Sequence, residues 1–259
     1  MPQLALAAIC HDADAQLAEH VAAEGPRIAG LYSHLVCAAT YQTSPHTLDA
    51  LRAAGFAVSC LRVGYPGLQR THALWLALQH GAQFVHCADL DIVLHWSARY
   101  PDELQRVLAE IPNHDFLIHG RTRRASQTRP RHIVETEAIG NRAFSLLLGM
   151  DVDGMVGSRG LSRRAAEIVV QHSEATGFQT DMEWPLLVRR LGGMQIGYQE
   201  LDTLDWETPD RSAAHIAEAG GLEEWKRAMD QDPALWLHRL TIATEEVRAA
   251  IRAIQQTEK

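Results

Sequence analysis

The sequence predicts an α/β protein with a mainly parallel central sheet and helices on both of its faces. Three observations carry this expectation. Short apolar runs alternate with amphipathic helical patterns through the first half of the 259-residue chain, the arrangement of successive βα units. Start and stop signals fall between those runs: Ser44-Pro45 opens a helix, and Gly55 and Gly81 each close one. The run from Phe84 to Leu94 reads as a buried strand that carries two aspartates one residue apart, Asp89 and Asp91, where open α/β sheets bind ligands.

Taken in order, Leu4 to Cys10 is a strand, about Ala13 to Glu24 a helix, and Leu31 to Ala39 a strand. Pro45 to Ala54 is a helix, Ala57 to Leu61 a strand, and the pattern from Leu68, closed by Gly81, a helix leading into the strand that ends at Asp91. A helix near Pro101 to Glu110 and a strand from Asp115 to His119 follow. The second half is more helical, with Thr136 to Leu148, Ser162 to Ser173 and Asp181 to Leu191 as helices and Gln195 to Leu201 as a strand. Leu222 to Gln256 reads as two helices broken near Asp232-Pro233, since proline cannot continue a helix. No repeat or low-complexity linker interrupts the chain, so one continuous sheet is expected.

Composition bounds the function. With 46% apolar residues the chain can bury a large core, and a single large domain is the default. A net charge of −8 argues against nucleic acid as a partner, because phosphate-backbone binding needs a broad basic surface. No apolar run approaches the roughly 20 residues of a transmembrane segment, and the N-terminus lacks a signal-peptide pattern, so a soluble, cytoplasmic protein is expected. Cys10, Cys37, Cys60 and Cys87 fall singly in strands, which predicts buried thiols rather than a zinc site or disulfides.

The Asp89 and Asp91 pair carries the most specific chemistry. Two carboxylates at a strand end supply hard oxygen ligands that hold Mg2+ or Mn2+ against a diphosphate; the other reading is a pair capping a neighbouring helix. The tripeptide alone is common, and Asp151-Val152-Asp153 repeats it. Arg121, Arg123, Arg124, Arg129 and Arg131 crowd a short stretch with His119 and His132, either a solvated loop or a basic lid that closes over a diphosphate. Thr180 and Glu183 have capping-box spacing, while Asp181 and Glu183 are also a pair suited to acid–base work. Gly157-Ser158-Arg159-Gly160 is either a tight turn before a helix capped by Ser162 or a backbone approach to a ligand. Trp206 stacks on a sugar or plugs the packing. His72 and His86, single histidines in regular structure, read as packed side chains.

Three stretches, Gly67 to Trp96, Gly157 to Arg164 and Gly177 to Pro185, resemble successive motifs of nucleotide-sugar glycosyltransferases of the GT-A fold. The resemblance is nearest to the family 2 enzymes that include the dolichyl- and polyprenyl-phosphate sugar transferases. It implies a GT-A-like domain over residues 1–259, with a nucleotide-sugar half at 1–96 and an acceptor half with C-terminal helices at 97–259. It implies metal-dependent, inverting transfer of a hexose from a UDP- or GDP-sugar to a small or lipid-linked acceptor. In that frame Asp89 and Asp91 (a DXD motif) bind the metal, and Arg70, Arg159, Arg121 and Arg124 serve the donor. Asp181, or next Glu183, is the base, and Gly157, Ser158, Trp184 and Trp206 line the acceptor. One departure stands out: where the family places a Pro-x-x-Asn-Glu-type turn for the nucleobase, this chain has His11-Asp12-Ala13-Asp14. A catalytically silent nucleotide-sugar-binding protein is one rival. A sugar-phosphate nucleotidyltransferase is another, although residues 10–30 lack its Gly-rich loop.

Overall fold

Apolar residues on both faces of the early strands dictate a sheet covered on both sides, and the chain folds that way. The computed structural model describes residues 3–62 and 64–255. In order it contains β1 (Leu4–Cys10), α1 (Ala18–Ala29), β2 (His34–Thr40), α2 (Pro45–Ala53), β3 (Ala57–Leu61), α3 (Pro66–Gln79), β4 (Phe84–Asp89), α4 (Leu90–Arg99) and α5 (Pro101–Glu110). There follow β5 (Phe116–Arg121), α6 (Arg123–Gln127), α7 (Arg131–Leu148), β6 (Ser158–Ser162), α8 (Arg163–His172), α9 (Thr180–Gly192) and β7 (Ile196–Leu201). Three helices finish the described chain: α10 (Ala213–Glu218), α11 (Leu222–Asp230) and α12 (Pro233–Gln255). Gln256, the expected end of the last helix, lies outside the described residues.

The strands form one seven-stranded sheet in the order β3-β2-β1-β4-β6-β5-β7. β1 to β4 run parallel, β5 and β7 pair in parallel, and β6 is antiparallel to both its neighbours, β4 and β5. Alternation along β1 divides the core. Leu4, Leu6, Ala8 and Cys10 pack toward α1, α2, α4 and α5, while Ala5 and Ala7 belong to the layer holding α3, α7, α8, α9 and α12. β1 sits between β2 and β4, so the order reverses between β1 and β4, and Ile9 of β1 faces Asp89 of β4 in register. Ligands of open α/β sheets bind beyond the carboxyl ends of strands at such a reversal. No helix among the described residues is long and apolar enough to cross a membrane.

Several expectations are corrected. The fourth strand ends at Asp89, and Asp91 belongs to the first turn of α4, because Leu90, Val93, Leu94 and Trp96 repeat at helical spacing rather than every second residue. The first helix starts at Ala18, not near residue 13: the Asp12 carboxylate accepts hydrogen bonds from the Gln16 and Leu17 amides and from Thr47, holding residues 12–17 in a loop. The Gly157 to Gly160 stretch is no turn, since Ser158–Ser162 is the strand β6. Its small residues hid it: a Cβ at Gly160 would collide with Ile111. The basic stretch from Arg121 to His132 is no loop either, but a strand end, α6 capped by the Thr122 side chain, and the first turn of α7. Cys10, Cys37 and Cys87 are buried as expected, but Cys60 is exposed because β3 is an edge strand.

Candidate functional site

Arg70 is the pivot of the site. It lies on the inner face of α3 with Gly67, Ala73 and Leu74 and is buried at 3% exposure, a position that demands counter-charge. Its guanidinium donates to both carboxylate oxygens of Asp89 at 2.9 Å, to Asp181 Oδ1 at 2.6 Å and to the Thr180 hydroxyl at 2.9 Å. Asp181 Oδ1 also lies 2.8 Å from Arg159 Nη2. Two arginines and two aspartates therefore tie α3, β4, β6 and α9 together. Gly67 permits this, because residues 175–177 pass where its Cβ would stand, and the same crossing sets the Phe178 ring against the Arg70 guanidinium at 5.6 Å. Gly157 accepts the Asp89 amide at 2.8 Å, and a Cβ there would collide with Asp89 Oδ2.

A cavity of about 200 Å³ opens beside this cluster, with Arg70, Asp89, Gly157, Phe178 and Asp181 in its wall. Its charge is polarised. One part is acidic, with Asp205 and Glu207 following β7 and His95 on α4. His95 Nε2 lies 2.9 Å from Asp205 and its Nδ1 2.6 Å from Asp210. Burial works against a charged His95, but those two acids hold its pKa above the usual value. The Asp89 carboxyl is pushed up to about 6 by burial, with Arg70 countering and Asp91 adding repulsion. Asp91 is also raised, by burial and Glu207 against the pull of Arg211, whose Nη2 is 3.1 Å from Asp91 Oδ2. The other part of the wall is basic, with Arg121, Arg129 and Arg239.

The sequence-predicted residues separate cleanly. Arg70, Asp89, Gly157, Asp181, Arg121 and Trp206 all line the cavity. Asp91 faces the adjoining small cleft with His20, Glu207 and Arg211. Trp206 stacks on Trp225 at 5.3 Å between ring centres, so it belongs both to the wall and to the packing of α11. Arg159 stays behind the wall, donating to the Val156 and Gly154 carbonyls as well as Asp181.

Besides Arg159 and Asp91, four of the expected site residues do not line the cavity, and the capping-box spacing does not produce a capping box. Arg124 is exposed on Asp202, away from the cavity, because it sits on the outer side of the one-turn helix α6. Ser158 is buried, its Oγ 2.8 Å from both His86 Nε2 and His119 Nδ1, since its strand lies in mid-sheet. Trp184 is wholly buried in the core, its Nε1 donating to Ser173. Glu183 accepts from the Ser173 hydroxyl at 2.5 Å and the Glu174 amide at 3.2 Å, holding the loop before α9 rather than facing the cavity. No capping box forms, because the N-cap is Gln179 and the Thr180 hydroxyl accepts from Arg70. Missed altogether were His95, Glu137, Arg239 and Glu246. Glu246 had a visible signal, as an acid on the otherwise apolar stripe of α12 with Ile242 and Ala250; Glu137 had a weaker one, because the buried face of α7 that carries Gly140 and Phe144 also carries Thr136 and Ser145.

Among the described residues no three His, Cys, Asp or Glu side chains converge on a metal-sized site. The donor set nevertheless suits a hard cation. Asp89 and Asp91 offer carboxylate oxygens one residue apart; burial is the first cause that raises both pKa values, with repulsion from Asp91 adding at Asp89 and from Glu207 at Asp91.

No family's sequence model matches the chain, and no curated protein matches it by sequence. Solved structures do match. A mycobacterial protein superposes with a TM-score of 0.54 at 18% identity, covering 77% of this chain, which spans 65% of that protein's length. Glucosyl-3-phosphoglycerate synthase from Mycobacterium tuberculosis, in complex with Mn2+, UDP-glucose and phosphoglyceric acid, superposes with a TM-score of 0.53 at 15% identity over 86% of this chain and 80% of that one. Its UDP complex gives 0.52 at 16% identity over 77% and 70%. The chain has the GT-A fold. Two of these three neighbours are structures of glucosyl-3-phosphoglycerate synthase, so the likeness to family 2 was a coarse approximation.

Proposed function

We propose that this protein is a glycosyltransferase that moves a hexose from a nucleotide sugar to a small acceptor with the help of Mg2+ or Mn2+. The observation that carries the reading is the Asp89 and Asp91 pair at the reversal point of a GT-A sheet, beside a cavity walled by Asp89 itself. Support for UDP-glucose as the first donor to test, and for a divalent cation, comes from the M. tuberculosis synthase, whose structure holds Mn2+ and UDP-glucose.

In this reading Asp89 and Asp91 hold the cation, which when bound neutralises the charge of the departing diphosphate. The chain supplies the rest. Arg70 fixes the Asp89 carboxylate through a two-pronged contact, so the ligand is oriented before anything binds. Gly157 leaves that carboxylate room. Trp206, with its ring stacked on Trp225, offers a flat apolar face to a sugar. Of the two acids at the start of α9, only Asp181 reaches the cavity, so it is the one in place to take a proton from an acceptor. Its Oδ1 is already committed to Arg70 and Arg159.

The test is metal-linked nucleotide affinity. Two carboxylates leave most of a six-coordinate shell to water, so cation and nucleotide should bind tightly only together. Calorimetry should find UDP affinity raised at least about 10-fold by Mn2+ over EDTA in the wild type and not in Asp91→Ala, with slow hydrolysis of UDP-glucose by the wild type alone. Equal affinity with and without metal in both proteins rules the reading out.

A further inference from the structure

The basic part of the cavity wall is not needed to explain donor binding at Asp89, and its charges do not balance. Arg121 from β5, Arg129 from the turn before α7 and Arg239 from α12 all converge on one carboxylate, Glu137. Of these three arginines Asp153 pairs with Arg121, whose Nε lies at 2.6 Å, and its Oδ1 also accepts from the Asn141 side-chain amide at 2.7 Å. Three guanidinium groups thus share two carboxylates. Burial works against ionised Glu137, yet Arg129, Arg121 and Arg239 hold its pKa below the ordinary value, and Asp153 is drawn down to about 2 against its burial, chiefly by Arg121. Neither acid has charge to spare.

Glu246 does not close the deficit. It projects from α12 into the same wall, is 1% exposed, and its Oε2 has no hydrogen-bond partner among the described residues. Burial, with Asp181 and Glu137 nearby, pushes its pKa well up and so works against its charged form. The Nε atoms of Arg129 and Arg239 are likewise buried without a partner. Burial and repulsion from Arg121 lower the Arg129 pKa, the mark of a guanidinium short of counter-charge. Unpaired buried donors and uncompensated positive charge both cost folding free energy, and a ligand that brings an anion removes both costs.

We propose that Arg129 and Arg239 form an anion site for the acceptor, gripping a phosphate or carboxylate group that the acceptor carries, with the Glu246 carboxyl as a third contact. Planar guanidinium forks match either group. Ile133 and Ile242, each one helical turn from Glu137 or Arg239, and Met155, whose carbonyl accepts from Arg121, line the same cavity, so the body of the acceptor beside its anion meets apolar side chains. The assignment of the anion to an acceptor rests on the glycosyl-transfer reading, while the anion site itself stands on these residues.

Calorimetry on the full chain separates the possibilities, using inorganic phosphate and glycerol 3-phosphate as probes in one arm and UDP with Mn2+ in the other. Arg129→Lys and Arg239→Lys keep the charge that Glu137 needs and lose the fork, so folding, followed by melting temperature, should survive. Each should weaken both phosphate probes about 10-fold, with UDP affinity within about 2-fold of wild type. Equal loss of UDP affinity assigns the anion to the donor diphosphate and overturns the acceptor site. Wild-type protein that binds UDP but neither probe, or variants that bind the probes normally, overturn this inference alone. Phosphate binding without any UDP binding overturns the acceptor assignment together with the glycosyl-transfer reading.

Discussion

Asp181 shows how one residue changes meaning between sequence and structure. As a helix-start acid its replacement by Asn would cost at most about 1 kcal/mol. In the folded chain it is one of two carboxylates that neutralise the buried guanidinium groups of Arg70 and Arg159, and removing one partner of a buried ion cluster leaves charge uncompensated. Asp181→Asn should therefore lower stability by about 3 kcal/mol or more, read from urea unfolding. A loss below 1 kcal/mol would return it to the helix-start role. Glu183→Gln should leave UDP affinity unchanged, because Glu183 bonds Ser173 and the Glu174 amide away from the cavity. The sequence ranked Asp181 ahead of Glu183 only through the family resemblance, since both lie on one helix turn; the contacts of neighbouring α3 and β6 give the physical difference.

At the scale of elements, the stretch from Arg121 to His132 carries the sharpest revision. Its density of arginine reads as a lid, yet Arg121 ends β5 with its amide donating to Asp153, Ala125 is buried at the centre of α6, and Arg129 is held by Glu137. Hydrogen exchange of the Arg121 amide and of the first turns of α7 should accordingly be slow without donor and change little when UDP and Mn2+ are added. Fast exchange that becomes slow on donor binding would restore the lid. β6 was missed for a related reason. Ser158, Arg159 and Gly160 have neither the apolar content nor the β-branching of a strand, and they are recruited by hydrogen bonding between β4 and β5. α4 was read as a continuation of β4 because a short apolar run does not by itself declare its period.

At the scale of the whole molecule, the sheet is pinned by a buried polar chain: the Tyr32 hydroxyl lies 2.8 Å from His86 Nδ1, and the Ser158 hydroxyl joins His86 to His119. Burial drives the His86 pKa down to about 3, and burial with His86 nearby takes His119 well below its ordinary value. Both rings are neutral when folded, whereas an unfolded histidine gains a proton below about pH 6.5. Their contribution is complete above that pH and is lost as pH falls toward 3. Asp89, raised to about 6, acts in the opposite direction, so the clean reading is a difference between proteins. His86→Gln should lose stability less steeply than wild type between pH 6 and 4, by about 1.4 kcal/mol per pH unit, measured by urea titration at each pH. Parallel profiles would mean that His86 is protonated in the folded state.

What the sequence determined by itself is local or periodic. Alternating apolar runs set β1 to β4 and their parallel pairing, Ser44-Pro45 and Gly55 framed α2, and Asp232-Pro233 divided α11 from α12, because these signals act within one turn or one strand. Asp89 was legible because a carboxylate at the end of an apolar strand needs a partner wherever the rest of the chain goes. The partner itself was decided by the tertiary structure. Arg70 is 19 residues from Asp89 and 111 from Asp181, and the basic wall draws Arg129, Glu137 and Arg239 from separate elements. Charge compensation in a buried cluster depends on distances of a few ångströms between groups far apart in the chain, and no local pattern encodes those distances.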